Sequence, residues 1–153
     1  MENNLACPYF VPCEIVYDIS WPHPARLPLG AGWRGSCCAG NGAKPEHEST
    51  PDAALLRDNC NLGYATTCPH LPPARDWDAI RFSIASSTAG QITLCYVCEL
   101  AHAPKAHGTL AYNLATESWQ DSATDPRVRR LAESFLHAYR IRQSPSLISQ
   151  NYD

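Results

Sequence analysis

The sequence predicts an α+β fold: a Cys/Pro-rich loop layer joined to a small three-stranded antiparallel meander and a C-terminal amphipathic helix. Three observations predict it. Prolines crowd the first third of the chain, two segments in the second half alternate apolar and polar residues, and one late stretch repeats apolar residues every three or four positions.

Between Cys7 and Cys38, Pro8, Pro12, Pro22, Pro24 and Pro28 forbid long helices, because each lacks an amide donor and fixes its own φ. Only 14–20 escapes, where Ile15, Tyr17 and Ile19 would line one face of a short strand. The rest reads as ordered loop. So little regular structure in a compact domain needs an organiser, and a bound metal would supply one. The segment 39–45, with Gly40 and Gly42 before Pro45, is a flexible turn. Thr50-Pro51-Asp52 then starts a short helix, with Thr50 as cap, carrying Ala54, Leu55, Leu56 and Arg57 toward Cys60 until Gly63 stops it.

The first strand of the meander runs over 79–85, with Ile80, Phe82 and Ile84 on one face. The second runs over 91–99, with Ile92, Leu94, Tyr96 and Cys98 opposite Thr93, Cys95, Val97 and Glu99, and 86–90 makes the turn. A third over 109–114 places Leu110, Tyr112 and Leu114 together. Thr124-Asp125-Pro126 opens the last helix, whose stripe is Val128, Leu131, Phe135, Ala138 and Tyr139; Pro145 ends it. One domain over 1–143 results, with a metal-binding half at 1–72, the meander and helix at 78–143, and a polar tail at 144–153.

The chain holds eight cysteines: Cys7, Cys13, Cys37, Cys38, Cys60, Cys68, Cys95 and Cys98. Met1-Glu2-Asn3-Asn4 carries no positive side chain, and Pro8, Pro12 and Glu14 break up the next ten residues, so no leader pattern is legible and a cytoplasmic protein is expected. No run reaches the roughly 18 to 20 apolar residues of a membrane span. Thiols this dense in a reducing compartment point to metal, with an oxidised disulfide framework as the alternative for an even count. Soft thiolate favours zinc, copper(I) or an iron–sulfur cluster over magnesium or calcium.

Cys60 and Cys68 enclose seven residues with Gly63 inside and Pro69 just after, a loop that can fold back on one centre with its amides aimed at sulfur. Cys7-Pro8 repeats the Cys-Pro pair of Cys68-Pro69, and bacterial cluster-binding segments close with that pair. Zinc ribbons use two close Cys pairs, a spacing found only at Cys95 and Cys98. The expected centre is therefore a [4Fe-4S] cluster on Cys7, Cys37, Cys60 and Cys68, with zinc as the alternative occupant.

Adjacent cysteines diverge, so one of Cys37 and Cys38 is spare; Trp33-Arg34-Gly35-Ser36 gives Cys37 the flexible approach. Cys13 is near enough to Cys7 to replace a ligand. On an extended strand Cys95 and Cys98 point to opposite faces and read as small apolar core residues, unless the strand ends near Val97 and frees them as a knuckle. Cys68 and His70 with Cys98 and His102 would make a mixed two-Cys, two-His centre of the Rieske kind. His102 and His107, flanking Pro104 in a loop after the second strand, would also complete a zinc site with Cys95 or Cys98. Trp21, Trp33 and Tyr64 would shield the thiols from water.

Gly30-Ala31-Gly32-Trp33-Arg34-Gly35 matches the dinucleotide fingerprint, but the prolines before it exclude the strand it requires, so no nucleotide is expected. No nucleophile elbow, P-loop or HExxH is present, and no catalytic residue is assigned. A net charge of −3 argues against nucleic acid as a bulk partner, although Arg127, Arg129, Arg130, Arg140 and Arg142 gather late. The functional expectation is an electron carrier or accessory subunit of a redox complex, with the arginine-bearing helix and tail as surfaces for a protein partner. The alternative is a zinc-stabilised adaptor or nucleic-acid-binding module.

Overall fold

The protein is seen as a computed structural model that describes residues 5–17, 27–37, 51, 54, 56–61, 68, 74–120 and 125–143. In chain order these form β1 (Leu5–Ala6), β2 (Phe10–Ile15), β3 (Trp33–Cys37), one π-helical turn (Leu56–Cys60), β4 (Ala79–Ser87), β5 (Gln91–Leu100), β6 (Ala103–Asn113), β7 (Ser118–Trp119) and α1 (Pro126–Gln143). Two antiparallel sheets and a C-terminal helix make the fold α+β.

The expected three-stranded meander is corrected. The larger sheet has five strands in the order β1-β4-β5-β6-β7, and β2 pairs with β3 in a second sheet. Both added strands of the larger sheet are two residues long, too short to show alternation in a sequence. The β4–β5 turn is closed by the Thr88 hydroxyl, which accepts from the Gly90 and Gln91 amides at 3.4 and 3.1 Å. β5 and β6 meet in a two-residue turn, Ala101 and His102, both at positive φ (54° and 64°), the handedness that suits a tight hairpin. The buried Asp78 carboxylate accepts the Ala101 amide at 2.8 Å and fixes that turn. The third strand therefore starts at Ala103, and His102 sits in the turn while Pro104 and His107 lie on β6, not in a loop. β7 pairs only with Tyr112 and Asn113, so Pro104 sits where no β7 partner needs its missing amide.

α1 begins as the sequence indicates. Asp125 caps it, its Oδ1 accepting the Arg127 amide at 2.8 Å, and Pro126 takes the first helical position. Val128, Leu131, Phe135 and Ala138 are buried and Tyr139 packs at the margin. This stripe covers the face of the sheet that carries Ile80, Phe82, Leu94, Cys98 and Leu110, with the Phe82 and Phe135 rings stacked at 5.6 Å. The arginines staple the helix down. Arg127 lies over Trp77 at 4.3 Å and pairs with Asp76 and Asp125, Arg129 and Arg140 lie over Trp119 and Tyr112, and Arg142 donates to the Gly30 carbonyl at 2.8 Å.

In the first half, the strand expected over 14–20 lies earlier, at Phe10–Ile15, and includes Pro12; Tyr17 is exposed and Ile19 falls outside the described residues. Pro12 is opposite Gly35 and Glu14 opposite Arg34, leaving Cys13 as the extra residue of a bulge. Gly35 is needed because a Cβ there would stand 1.9 Å from the Val11 carbonyl oxygen. The fingerprint-like run is a turn entering β3: Gly30 has φ 77° and its amide donates to the Leu27 carbonyl at 3.0 Å. Ala54 is helical and Leu56–Cys60 forms one π turn, while Thr50 and Gly63, read as cap and stop, lie outside the described residues. Cys7, Tyr9, Phe10, Trp33 and Leu56 join the sheet and α1 in one hydrophobic cluster. Among the described residues no helix is long and apolar enough to cross a membrane.

Candidate metal centre

Cys7 occupies the joint between β1 and β2. Its carbonyl accepts the Phe10 amide at 3.2 Å, so Cys7-Pro8-Tyr9-Phe10 is a tight turn, and the amides of Tyr9 and Phe10 also face its sulfur. Successive amides converging in this way form a concavity that stabilises negative charge. Cys37 closes β3 directly opposite Phe10. Cys60 ends the π turn, whose bond from the Asn61 amide to the Leu56 carbonyl measures 3.0 Å.

Asn61 ties that turn to β3. Its buried side chain accepts the Trp33 amide through Oδ1 at 2.9 Å and donates through Nδ2 to the carbonyls of Trp33 and Leu56 at 2.9 and 3.1 Å. The side chain thus satisfies both backbone groups of Trp33 and adds a second bond to the Leu56 carbonyl, which already accepts the Asn61 amide.

Cys7 and Cys60 each feel the charge of other candidate thiols. Burial pushes the Cys7 thiol up to about 12, against the pull of the Tyr9 amide, and negative charge on Cys37 and Cys68 raises it further. Burial likewise pushes the Cys60 thiol up, and Cys7, Cys37 and Cys68 all add to the rise. Cys7 and Cys60 thus lie within electrostatic reach of each other and of Cys37 and Cys68, the four drawn from separate stretches. They stand as neighbours and not as a closed ligand set: among the described residues no three His, Cys, Asp or Glu side chains are placed to hold a metal ion as they stand.

The other sulfur and imidazole candidates lie elsewhere. Cys13 is exposed on the β2 bulge and donates to the Val11 carbonyl at 3.6 Å. Cys95 and Cys98 face opposite sides of β5: Cys98 is fully buried under α1, where burial pushes its thiol up to about 11, and Cys95 is partly exposed between Ser83 and Thr109. His102 and His107 are exposed. Cys38, His70, Trp21 and Tyr64 fall outside the described residues. The seven described cysteines are free thiols. Tyr9, Phe10, Trp33 and Leu56, all buried, share one hydrophobic cluster with Cys7, and the Trp33 ring packs on His137 of α1 at 6.0 Å.

Sequence reasoning missed Asn61 and the amides at Cys7. An Asn following Cys60 carries the only local signal, since Asn commonly bonds nearby backbone; its true partner, Trp33, is remote in sequence. The chain matches no family model, no curated protein and no solved structure, so its chemistry is read from these residues alone.

Proposed function

We propose that this chain is a small iron–sulfur protein in which Cys7, Cys37, Cys60 and Cys68 hold a [4Fe-4S] cluster, acting in the cytoplasm as an electron carrier or accessory subunit of a redox complex. What supports the proposal is that Cys7 and Cys60, from separate segments beside one hydrophobic cluster, lie within electrostatic reach of each other and both feel the charge of Cys37 and Cys68. As thiolates the four would repel one another, and a bound cationic centre would compensate that charge.

The donor set is all sulfur, which suits iron–sulfur chemistry and zinc alike. The wide spacing of the four cysteines, without a pair of close knuckles, and the Cys-Pro pairs at Cys7 and Cys68 favour the cluster. Bound there, a cluster would supply one-electron transfer at a potential tuned by hydrogen bonds to sulfur and by exposure to water. The protein contributes both levers: the Tyr9 and Phe10 amides face the Cys7 sulfur, and Tyr9, Phe10, Trp33 and Leu56 exclude solvent. A protein partner would deliver or accept the electron.

The test is anaerobic purification with metal and sulfide analysis and visible spectroscopy. Brown protein containing iron and inorganic sulfide in equal amounts, bleached by dithionite, is the expected result. Colourless protein with stoichiometric zinc would replace this function by that of a zinc-stabilised adaptor.

A further inference from the structure

Asn61 immediately follows Cys60, and its side chain grips both backbone groups of Trp33, the first residue of the strand that ends at Cys37. A third bond reaches back to the Leu56 carbonyl at the start of the turn that Cys60 closes. The amide therefore spans the two elements that present Cys37 and Cys60. On the reading of the four thiols as a metal centre, we propose that Asn61 is its positioning residue, a clamp that sets where the Cys60 sulfur stands relative to Cys37.

The chemistry of the clamp is specific to an amide. One acceptor meets the Trp33 N–H and one NH₂ group meets two carbonyls, a pattern no other side chain of this length reproduces. Aspartate has the same shape but sets oxygen against the carbonyls of Trp33 and Leu56 and brings a charge to a side chain 3% exposed. An Asn61→Asp variant thus keeps the volume and the acceptor for the Trp33 amide but loses both bonds to the carbonyls of Trp33 and Leu56. The Cys60 turn is then free to move away from β3.

The experiment uses the full chain in two states. In reduced, metal-free protein, iodoacetamide labelling followed by peptide mass mapping reads the rate at Cys60; Asn61→Asp should raise it about tenfold, the change that breaking a buried hydrogen bond brings. After anaerobic reconstitution with ferrous iron and sulfide, the variant should hold less iron than wild type, and the reduced-state EPR spectrum of what it holds should change shape, while far-UV circular dichroism stays the same. Unchanged Cys60 labelling together with wild-type iron content and spectrum would overturn the proposal. Faster labelling at Cys60 with no metal bound by either protein would uphold the clamp and overturn the iron–sulfur function. If Asn61→Asp loses its circular dichroism, Asn61→Ser, which is uncharged, is judged by the same criteria.

Discussion

Cys37 lies directly across the β2–β3 ladder from Phe10. Phe10 closes the turn that begins at Cys7, so one strand pairing governs the separation of two thiols that are far apart in the chain. The pairing depends on backbone contact at Gly35. Placing a methyl there sets it 2.9 Å from the Pro12 Cα and closer still to the Val11 carbonyl. Gly35→Ala should therefore part β3 from β2, cost at least about 1–3 kcal/mol and lower metal content in step. Thermal melting and metal analysis of the variant check this; a stable variant with full metal content would show that the ladder does not position the centre.

The stacked pair Phe82 and Phe135 anchors α1 to the larger sheet. Phe135→Ala should cost about 3–5 kcal/mol, because the ring is buried and its loss leaves a cavity against Phe82. Urea denaturation of the metal-free protein measures it. A loss below about 1 kcal/mol would mean that the helix packs on the sheet by other contacts.

Cys95 and Cys98 separate a structural thiol from a ligand. Cys95→Ser changes a partly exposed side chain between Ser83 and Thr109 and should alter stability by no more than about 0.5 kcal/mol. Cys98→Ser puts a hydroxyl into the fully buried face under α1 and should cost about 1–3 kcal/mol. Both should keep wild-type metal content. Loss of metal from either variant would move the centre onto β5.

Asp125 gives stability a pH dependence. Desolvation pushes its carboxyl up, but the hydrogen bonds and charge of Arg127 outweigh that and hold it below the ordinary carboxylate range. A carboxyl lowered in the folded state contributes fully above its unfolded value, about 4, and loses that contribution as pH falls through the folded value. Asp125→Asn keeps an equally good helix cap while deleting the charge, so it should flatten the acid-side loss of stability below about pH 4. Asp125→Ala should add about 1 kcal/mol of cap loss. Melting temperatures from pH 7 downward compare the three proteins, and identical slopes would exclude the Asp125–Arg127 pair as a source of the dependence.

Strong periodicity made part of this fold legible. The alternation of Ile80, Phe82 and Ile84 against Ile92, Leu94 and Tyr96, and the stripe from Val128 to Tyr139, each bury one whole face, so their patterns survive in the sequence. The strand at Phe10–Ile15 was hidden by Pro12, which β-pairing tolerates here only because the partner is Gly35 and a bulge follows at Cys13. Pro104 hid the start of β6 in the same way, since the left-handed Ala101-His102 turn carries no glycine to announce it. Spacing and loop chemistry selected Cys7, Cys37, Cys60 and Cys68 as a set. Asn61 stayed invisible because its partner, the Trp33 backbone, is brought to it only by the fold.

Differential alkylation tests the proposed four-thiol centre directly. Anaerobically isolated protein and the same protein stripped by a chelator are labelled in parallel, and each cysteine is read by mass mapping. The metal-bound protein should protect Cys7, Cys37, Cys60 and Cys68 together and lose that protection at all four on stripping, while Cys13 and Cys95 label equally in both. Protection of a different set, or no change at these four on removing the metal, would contradict a centre built on these thiols.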